Sequence, residues 1–346
     1  MSPEIHIDLY SDTHTLPSDA MRQAMAYAEV GDEQQEADPT TNRLQDMVAE
    51  LLGKERALFM PSGTICNIIA YRVWCQPGDE VICDKTAHTI HSETGAPAAL
   101  AGVMMNPIDG ERGQFTAEQL MQAVRPYKRN KPKSRLVSLE NTSNSGGGSI
   151  WPEALVADVA AAARDAGLKT HMDGARLLNA VVESSTPAQD YARHMDSLWI
   201  DLSKGLGCPV GAVLAGDADF IERAFVFKHQ FGGAMRQSGI IAAAGVYALE
   251  NNVERLAEDH ENARKLARRL AQIPGIRIDA SEVETNLVFF DVTDTGRTAD
   301  ELSAALLEKG LHIGAMGPMR MRAVTHLGIS EAMIDEAADI VAEVVG

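Results

Sequence analysis

Short apolar runs alternate with amphipathic stretches along most of the chain, a pattern that predicts an α/β fold with a mainly parallel sheet. Residues 57–60 read as a strand, followed by the turn Pro61-Ser62-Gly63-Thr64 and an apolar helix to about Trp74. Pro77-Gly78-Asp79 marks a turn before a second strand at 80–83. Thr116 and Gln119, three residues apart, make the capping box of a helix. A strand at 136–139 runs into Glu140-Asn141-Thr142, and the Ala-rich stretch 152–166 reads as a helix stopped by Gly167. Further strands are expected at 168–172, 198–202 and 212–214.

A long helical region is expected over 239–273, ended by Pro274-Gly275. Beyond it the rhythm changes to short strands at 276–278, 286–292, 311–313 and 319–324, mixed with helices at 299–309 and 330–345. This predicts a large domain over residues 1–250, including the N-terminal segment, and a smaller C-terminal α+β domain over 251–346. No internal repeat is visible. Gly146-Gly147-Gly148-Ser149 is too short for an interdomain linker, and no Lys-Ser/Thr pair follows it to make a nucleotide loop.

Composition narrows the function. The chain has 346 residues, 45% hydrophobic and 23% charged, as expected of a globular protein. Lys and Arg total 31 against 49 Asp and Glu, a formal charge of −18, which repels phosphate backbones and anionic lipid; neither a nucleic-acid nor a membrane partner is expected. No apolar run reaches the roughly 20 residues of a spanning helix. The segment MSPEIHIDLY lacks the features of a signal peptide. Cys66, Cys75, Cys83 and Cys208 form no C-x-x-C pair, so neither a disulfide framework nor a cysteine metal site is expected, and a reducing cytoplasm suits them.

The candidate chemistry sits where strands end, the edge at which open α/β sheets bind ligands. Asp173, in His171-Met172-Asp173-Gly174-Ala175-Arg176, leaves a buried strand and needs a positive partner. Lys204, in Leu202-Ser203-Lys204-Gly205-Leu206-Gly207, is flanked by small residues and can become a nucleophilic amine by desolvation. Ser62, Gly63 and Thr64 open a helix whose backbone N–H groups suit a phosphate. Lysine, aspartate and phosphate cradle are together the parts that a pyridoxal 5'-phosphate site requires.

In combination these motifs are recognisable. Ser11-Asp12-Thr13, Val30-Gly31-Asp32, Ala37-Asp38-Pro39-Thr40, Pro61-Ser62-Gly63-Thr64 and Ala87-His88 come first. They continue with Ser138-Leu139-Glu140-Asn141-Thr142, Asp173-Gly174-Ala175-Arg176, the lysine motif at 202–207, Gly233-Ala234-Met235-Arg236-Gln237-Ser238-Gly239 and Val324-Thr325-His326. In this order, over about residues 7–328, the chain resembles the L-threonine aldolases of the β-eliminating lyase group, fold type I PLP-dependent transferase-like enzymes. The resemblance implies a carbon-carbon lyase cleaving L-β-hydroxy-α-amino acids to glycine and an aldehyde. It also implies a homodimer or homotetramer with active sites at the subunit interface.

Residue roles follow from that resemblance. Lys204 forms the Schiff base with the cofactor, Asp173 pairs with its ring nitrogen and His88 stacks on its ring. Ser62, Gly63, Thr64 and Ser203 are implied around the phosphate, Arg176 is implied as a further cofactor contact, and Arg236, with Lys228 as a further candidate, is implied to reach the phosphate of a neighbouring subunit. Ser11, Arg176 and Arg322 match the groups that hold the substrate carboxylate, a task suited to the guanidinium fork; Arg320 reads as a solvated strand edge. His88 is the first candidate for the base that takes the hydroxyl proton.

One departure stands out. Where many members of the family read His-Asn after Glu-Asn-Thr, this chain reads Ser143-Asn144, so a second imidazole is missing. Ser143 is expected at the substrate hydroxyl, and His91, one turn after His88, is the candidate replacement. The smaller side chain and the glycines after it lead to the expectation that bulky aldehyde groups, as in phenylserine, are admitted. His88 and His91 have a metal-pair spacing but no third ligand in the sequence, so no metal is expected. A β-eliminating lyase, an amino-acid racemase and a non-catalytic PLP-binding homologue use the same cofactor parts and stay open.

Overall fold

The computed structural model of the chain describes residues 4–346. Its strands are β1 (Ile7–Asp8), β2 (Arg56–Met60), β3 (Glu80–Asp84), β4 (Met104–Ile108), β5 (Ser134–Glu140), β6 (Lys169–Gly174), β7 (Ser197–Asp201), β8 (Ala212–Gly216), β9 (Leu287–Asp291), β10 (Leu311–His312), β11 (Gly314–Ala315) and β12 (Arg320–Val324). Seven of them form one sheet in the order β2-β8-β7-β6-β5-β3-β4. The five from β4 to β7 are parallel, and β8 is antiparallel to both of its neighbours. Two reversals return β2 to the common sense. The C-terminal ends of β2, β3, β5, β6 and β7 therefore lie along one edge.

The central strands are buried along nearly their whole length because helices cover both faces. Pro39–Leu52, Glu153–Asp165 and Gly239–Asn251 pack on one face around Leu44, Val159 and Ala244. Gly63–Trp74 and Ala218–Gln230 pack on the other around Ile69, Tyr71 and Phe220. The predicted capping box is formed: Thr116 and Gln119 satisfy each other's backbone N–H groups at the start of Ala117–Ala123. A separate core lies between an antiparallel sheet, β11-β12-β9, and the helices Leu256–Leu270, Ala299–Glu308 and Glu331–Val345.

Three expectations are corrected. The helix expected over 239–273 is two helices, Gly239–Asn251 and Leu256–Leu270. Asn252 closes the first: its N–H bonds Ala248 O and its side chain donates to Leu206 O at 2.8 Å. The two helices bury their apolar faces in different cores, so a straight continuation would expose one of them. The strand expected at 276–278 is a single bridge, Arg277 with Asp291, limited by Pro274-Gly275 before it and the Asp279 cap after it. The N-terminal segment, expected with residues 1–250, pairs β1 in parallel with β10 and buries Ile7 and Leu9 in the core of the C-terminal sheet.

Candidate functional site

The shared strand edge opens on a cavity of about 410 Å³ lined by Ser11, Gly63, Thr64, His88, Asp173, Arg176, Lys204 and Arg322, among others. Eight of the residues singled out in the sequence are thus brought together from six parts of the chain. Each is delivered by an element just described. Met60 ends β2 and the chain turns at Ser62, the N-cap, into Gly63–Trp74, so the first N–H groups of that helix face the cavity edge. Gly63 cannot be another residue here: a Cβ would overlap the Trp199 indole, which rises from β7.

Asp173 is the fifth residue of β6 and almost fully buried. Its Oδ1 accepts the Ala175 N–H at 3.1 Å and its Oδ2 accepts Asn67 Nδ2 at 2.8 Å. Asn67 comes from the buried helix Gly63–Trp74, and the same Nδ2 donates to Glu93 Oε1 at 2.8 Å. Its Oδ1 accepts Trp199 Nε1 at 2.7 Å and lies 3.1 Å from His171 Nε2. Trp74 Nε1 donates to Ser197 Oγ at 2.9 Å, and Ser197 in turn is 2.9 Å from His171 Nδ1. Because indole nitrogens only donate, this chain orients every member. Burial lowers the His171 pKa to about 3, so the ring is neutral, with Nδ1 accepting and Nε2–H donating.

His88 follows β3 at the start of the short helix His88–His91. Its Nδ1 lies 3.0 Å from Glu93 Oε1, and its N–H bonds Glu140 Oε2 at 2.8 Å. The hydrogen bond to Glu93 raises the His88 pKa above the ordinary imidazole value, although partial burial opposes this. Burial raises both Glu93 and Glu140, and the nearby Asp173 charge adds to it. The ligand atoms of His88, Glu93 and Asp173 lie within 4.8 Å of one another, a spacing compatible with a metal ion. Asn67 Nδ2 bridges the two carboxylates in that space and supplies the positive end of a dipole between them.

Lys204 follows β7 with its Nζ 3.2 Å from Asp201 Oδ2 and 5.8 Å from the centre of the Trp199 ring. Its side chain is 18% exposed and lines the cavity. On the other side stand two arginines. Arg176 donates Nε and Nη2 to Asp12 at 2.7 and 2.8 Å in a buried bidentate pair, leaving Nη1 without a partner among the described residues. Burial pushes the Asp12 pKa up, but Arg176 outweighs it and holds the carboxyl well below the usual range. Arg322, on β12, has no acidic partner among the described residues: Nη1 donates to Asn144 Oδ1 at 2.9 Å, Nη2 lies 3.4 Å from Tyr10 O, and the buried Nε has no partner. Burial and the neighbouring Arg176 lower its pKa. An unpartnered cation beside a second one is a site for an anion.

Other candidates lie elsewhere. Ser143 does not line the cavity: its Oγ packs against Gly113 and Gly146, where the 143–149 loop presses on the turn before it. Asn144 lines the cavity instead. His91 is exposed and its Nε2 lies 2.7 Å from Lys85 O, so it does not replace the missing imidazole. Ser203 donates its hydroxyl to Asp201 Oδ1 at 2.8 Å, and Ser62 is exposed without capping its helix. Lys228 is wholly buried in an ion pair with Glu33 and cannot reach a neighbouring subunit. Arg236 is exposed, its side chain held among the described residues by Asp32 alone at 2.8 Å, outside this chain's own cavity. Arg320 is exposed, as expected, with its guanidinium over the Phe289 ring at 4.6 Å.

Asn67, Glu93 and Asp201 were not singled out in the sequence, and Asp12 stood there only within the motif Ser11-Asp12-Thr13, without a role. Asn67 carried a signal, as the polar residue inside a helix that is otherwise apolar for two turns, since a buried amide must be bonded. Asp201 could have been found from its spacing, since its partners Ser203 and Lys204 follow two and three residues later, whereas Glu93 is fixed by Asn67 from a distant helix as well as by the nearby His88.

The chain is similar to known proteins over nearly its whole length. The family model described as beta-eliminating lyase matches residues 8–295. A low specificity L-threonine aldolase of Escherichia coli O157:H7 is 41% identical over 335 residues, covering 96% of this chain and 97% of that protein. A low-specificity L-threonine aldolase of Arabidopsis thaliana is 40% identical, covering 92% and 91%. The solved structure of a Leishmania major threonine aldolase superposes with a TM-score of 0.83 at 21% identity, covering 98% of this chain and all of that one, and so shares its fold. By the match over most of its length and the identity to these relatives, the chain belongs to the β-eliminating lyase family.

Proposed function

We propose that the chain is a pyridoxal-phosphate-dependent aldolase that cleaves L-β-hydroxy-α-amino acids, threonine and allo-threonine among them, to glycine and an aldehyde. The observation that carries this is Arg322, a cavity cation with a buried unpartnered Nε and no acidic partner, facing Lys204, Asp173 and His88. The residues fit the cofactor: Gly63 and Thr64 offer N–H groups to its phosphate, Asp173 to its ring nitrogen, and Lys204 its amine to the aldehyde carbon. When bound, the cofactor supplies an electron sink for the bond that is broken.

The chain's own residues choose that bond. Arg322, with Arg176 Nη1 and Ser11, holds the substrate carboxylate, which fixes the orientation of the Cα–Cβ bond. His88 takes the hydroxyl proton on Nε2, the nitrogen turned away from Glu93, while Glu93 steadies the resulting imidazolium. Glu140 anchors the backbone of both His88 and Asn144, so the base and the residue that orients Arg322 share one support.

The four cysteines are free and buried, in keeping with a reducing cytoplasm, and among the described residues no helix is long and apolar enough to cross a membrane. A homodimer or homotetramer, with Arg236 offered to a neighbouring cavity, fits the exposure of that arginine. The domain division 1–250 and 251–346 carries the same proposal, with β1 assigned to the smaller part.

The test incubates the holoenzyme separately with L-threonine, L-allo-threonine and L-phenylserine. Glycine and the matching aldehyde in equal amounts are expected, and are lost in Lys204→Ala. The matching 2-oxo acid with ammonia (2-oxobutyrate from threonine, phenylpyruvate from phenylserine), or an inverted substrate, would replace this reading by elimination or racemisation.

A further inference from the structure

A second cluster of ligating side chains lies outside the cavity, where the N-terminal segment meets the C-terminal sheet. Asp8 and His312 are direct partners in the parallel pair β1–β10, so both side chains stand on the same face. His14, at the end of the single turn Asp12–His14, reaches back to them. His14 Nδ1 lies 2.8 Å from Asp8 Oδ2, and His312 Nδ1 lies 3.3 Å from Asp8 Oδ1. All three ligand atoms are within 4.8 Å of one another.

The geometry points to a divalent-metal site, best suited to Zn²⁺, formed by Asp8 and the Nδ1 atoms of His14 and His312. Four details support it. His312 Nδ1 is buried and makes no hydrogen bond, a cost that a metal bond removes. The 3.3 Å between it and Asp8 matches the spacing of about 3.3 Å between two ligands on tetrahedral zinc, given Zn–N and Zn–O bonds near 2.0–2.1 Å. The rings are already oriented: Tyr10 stacks on His312 at 4.5 Å and 13°, and on His14 at 5.2 Å and 16°. The Asp8 carboxylate is steadied by the Tyr10 N–H at 3.0 Å, the kind of outer support that metal-bound carboxylates have. Two imidazoles and a carboxylate, with the fourth position open to water, suit zinc better than magnesium or calcium.

The consequence is mechanical. Asp8 and His14 bracket the segment that serves the cavity: Tyr10 O faces Arg322, Ser11 lines the wall, and Asp12 holds Arg176. A metal on Asp8, His14 and His312 clasps both ends of this segment to β10.

Untagged holoenzyme, stripped with EDTA and returned to metal-free buffer, is dialysed against ZnCl₂ and analysed for bound zinc. One saturable zinc per chain is expected. His14→Asn and His312→Asn should each weaken it at least tenfold, while His91→Asn, which alters an exposed histidine elsewhere, leaves it unchanged. Amide exchange supplies a second readout on the unmutated protein: zinc should slow exchange over residues 7–14 and 311–313. No saturable zinc, equal binding in both cluster variants, or zinc that leaves exchange in these segments unaltered would overturn the proposal.

Discussion

Asn67 Nδ2 and Asp173 Oδ2 are 2.8 Å apart, and that amide is the last member of a hydrogen-bond chain running from Trp74 through Ser197 and His171. The chain runs between the helix Gly63–Trp74 and the strands β6 and β7, and ends on the carboxylate near the end of β6. Each member has one orientation available, because Trp74 and Trp199 donate only and His171 is neutral. Asp173 is thereby held by a network in which Asn67, His171, Ser197 and Trp74 stand behind the cavity wall, while Trp199 and Glu93 line it.

Replacing Asn67 by Leu removes that donor and leaves the Trp199 and His171 N–H groups unpaired. A hydrogen bond to a charged group contributes about 1.5–3 kcal/mol, so cofactor affinity should fall roughly 10- to 100-fold. Spectroscopic titration of the apoenzyme with pyridoxal phosphate checks this. Unchanged affinity would mean that Asp173 is positioned by the Ala175 N–H alone.

Asp12→Asn strips a buried guanidinium of its counter-ion. Breaking such a pair costs about 3–5 kcal/mol, measurable by urea unfolding at pH 7. The sign of the pH effect follows from the lowered Asp12 pKa. The folded state keeps this carboxylate ionised at pH values where the unfolded chain takes up a proton. Its stabilisation is complete above the unfolded value near pH 4 and is lost as pH falls through the lower folded value. The wild-type chain should therefore lose stability below pH 4 more steeply than Asp12→Asn.

How much of this was legible in the sequence depends on the range of the interaction. Lys204, Asp173 and Gly63 announce themselves through neighbours in the chain, because strand, turn and helix start are local signals. Ser143 did not: its position after Asn141-Thr142 directs it toward the substrate only if the loop is open. Gly113 and Gly146 let two turns come together and take its hydroxyl. The helix break at 252–255 has the same origin, since the apolar rhythm runs through it and only the separation of two cores shows that it must bend. β1 is two residues long, and its partner β10 lies some 300 residues away, beyond the reach of any periodicity.

Glu93→Gln tests the base. The hydrogen bond that His88 Nδ1–H donates to Glu93 is the largest influence raising the His88 pKa, so the neutral amide should lower it. If neutral His88 takes the hydroxyl proton, the acidic limb of kcat/KM for L-threonine moves to lower pH in the variant. A limb that stays in place would show that another group titrates there.

Ser143 and Asn144 are adjacent in sequence and differ in what they touch, which makes opposite outcomes the expected result. Ser143→Ala alters a hydroxyl packed on Gly113 and Gly146 and should leave kcat/KM for L-threonine within about twofold, since it removes no contact to substrate. Asn144→Ala removes the one side-chain acceptor on Arg322 among the described residues, 2.9 Å from its Nη1, and frees the guanidinium to swing. A single charge-assisted hydrogen bond of about 1.5 kcal/mol corresponds to roughly tenfold, and it should appear in KM more than in kcat because the carboxylate contact proposed for Arg322 would be made in ground and transition states alike. The same comparison with L-phenylserine separates the two routes to a broad substrate range. If space opened by Ser143 admits the aromatic ring, Ser143→Val should depress phenylserine cleavage while sparing threonine. The packing of Ser143 away from the cavity predicts instead that both substrates respond to Ser143→Val in parallel.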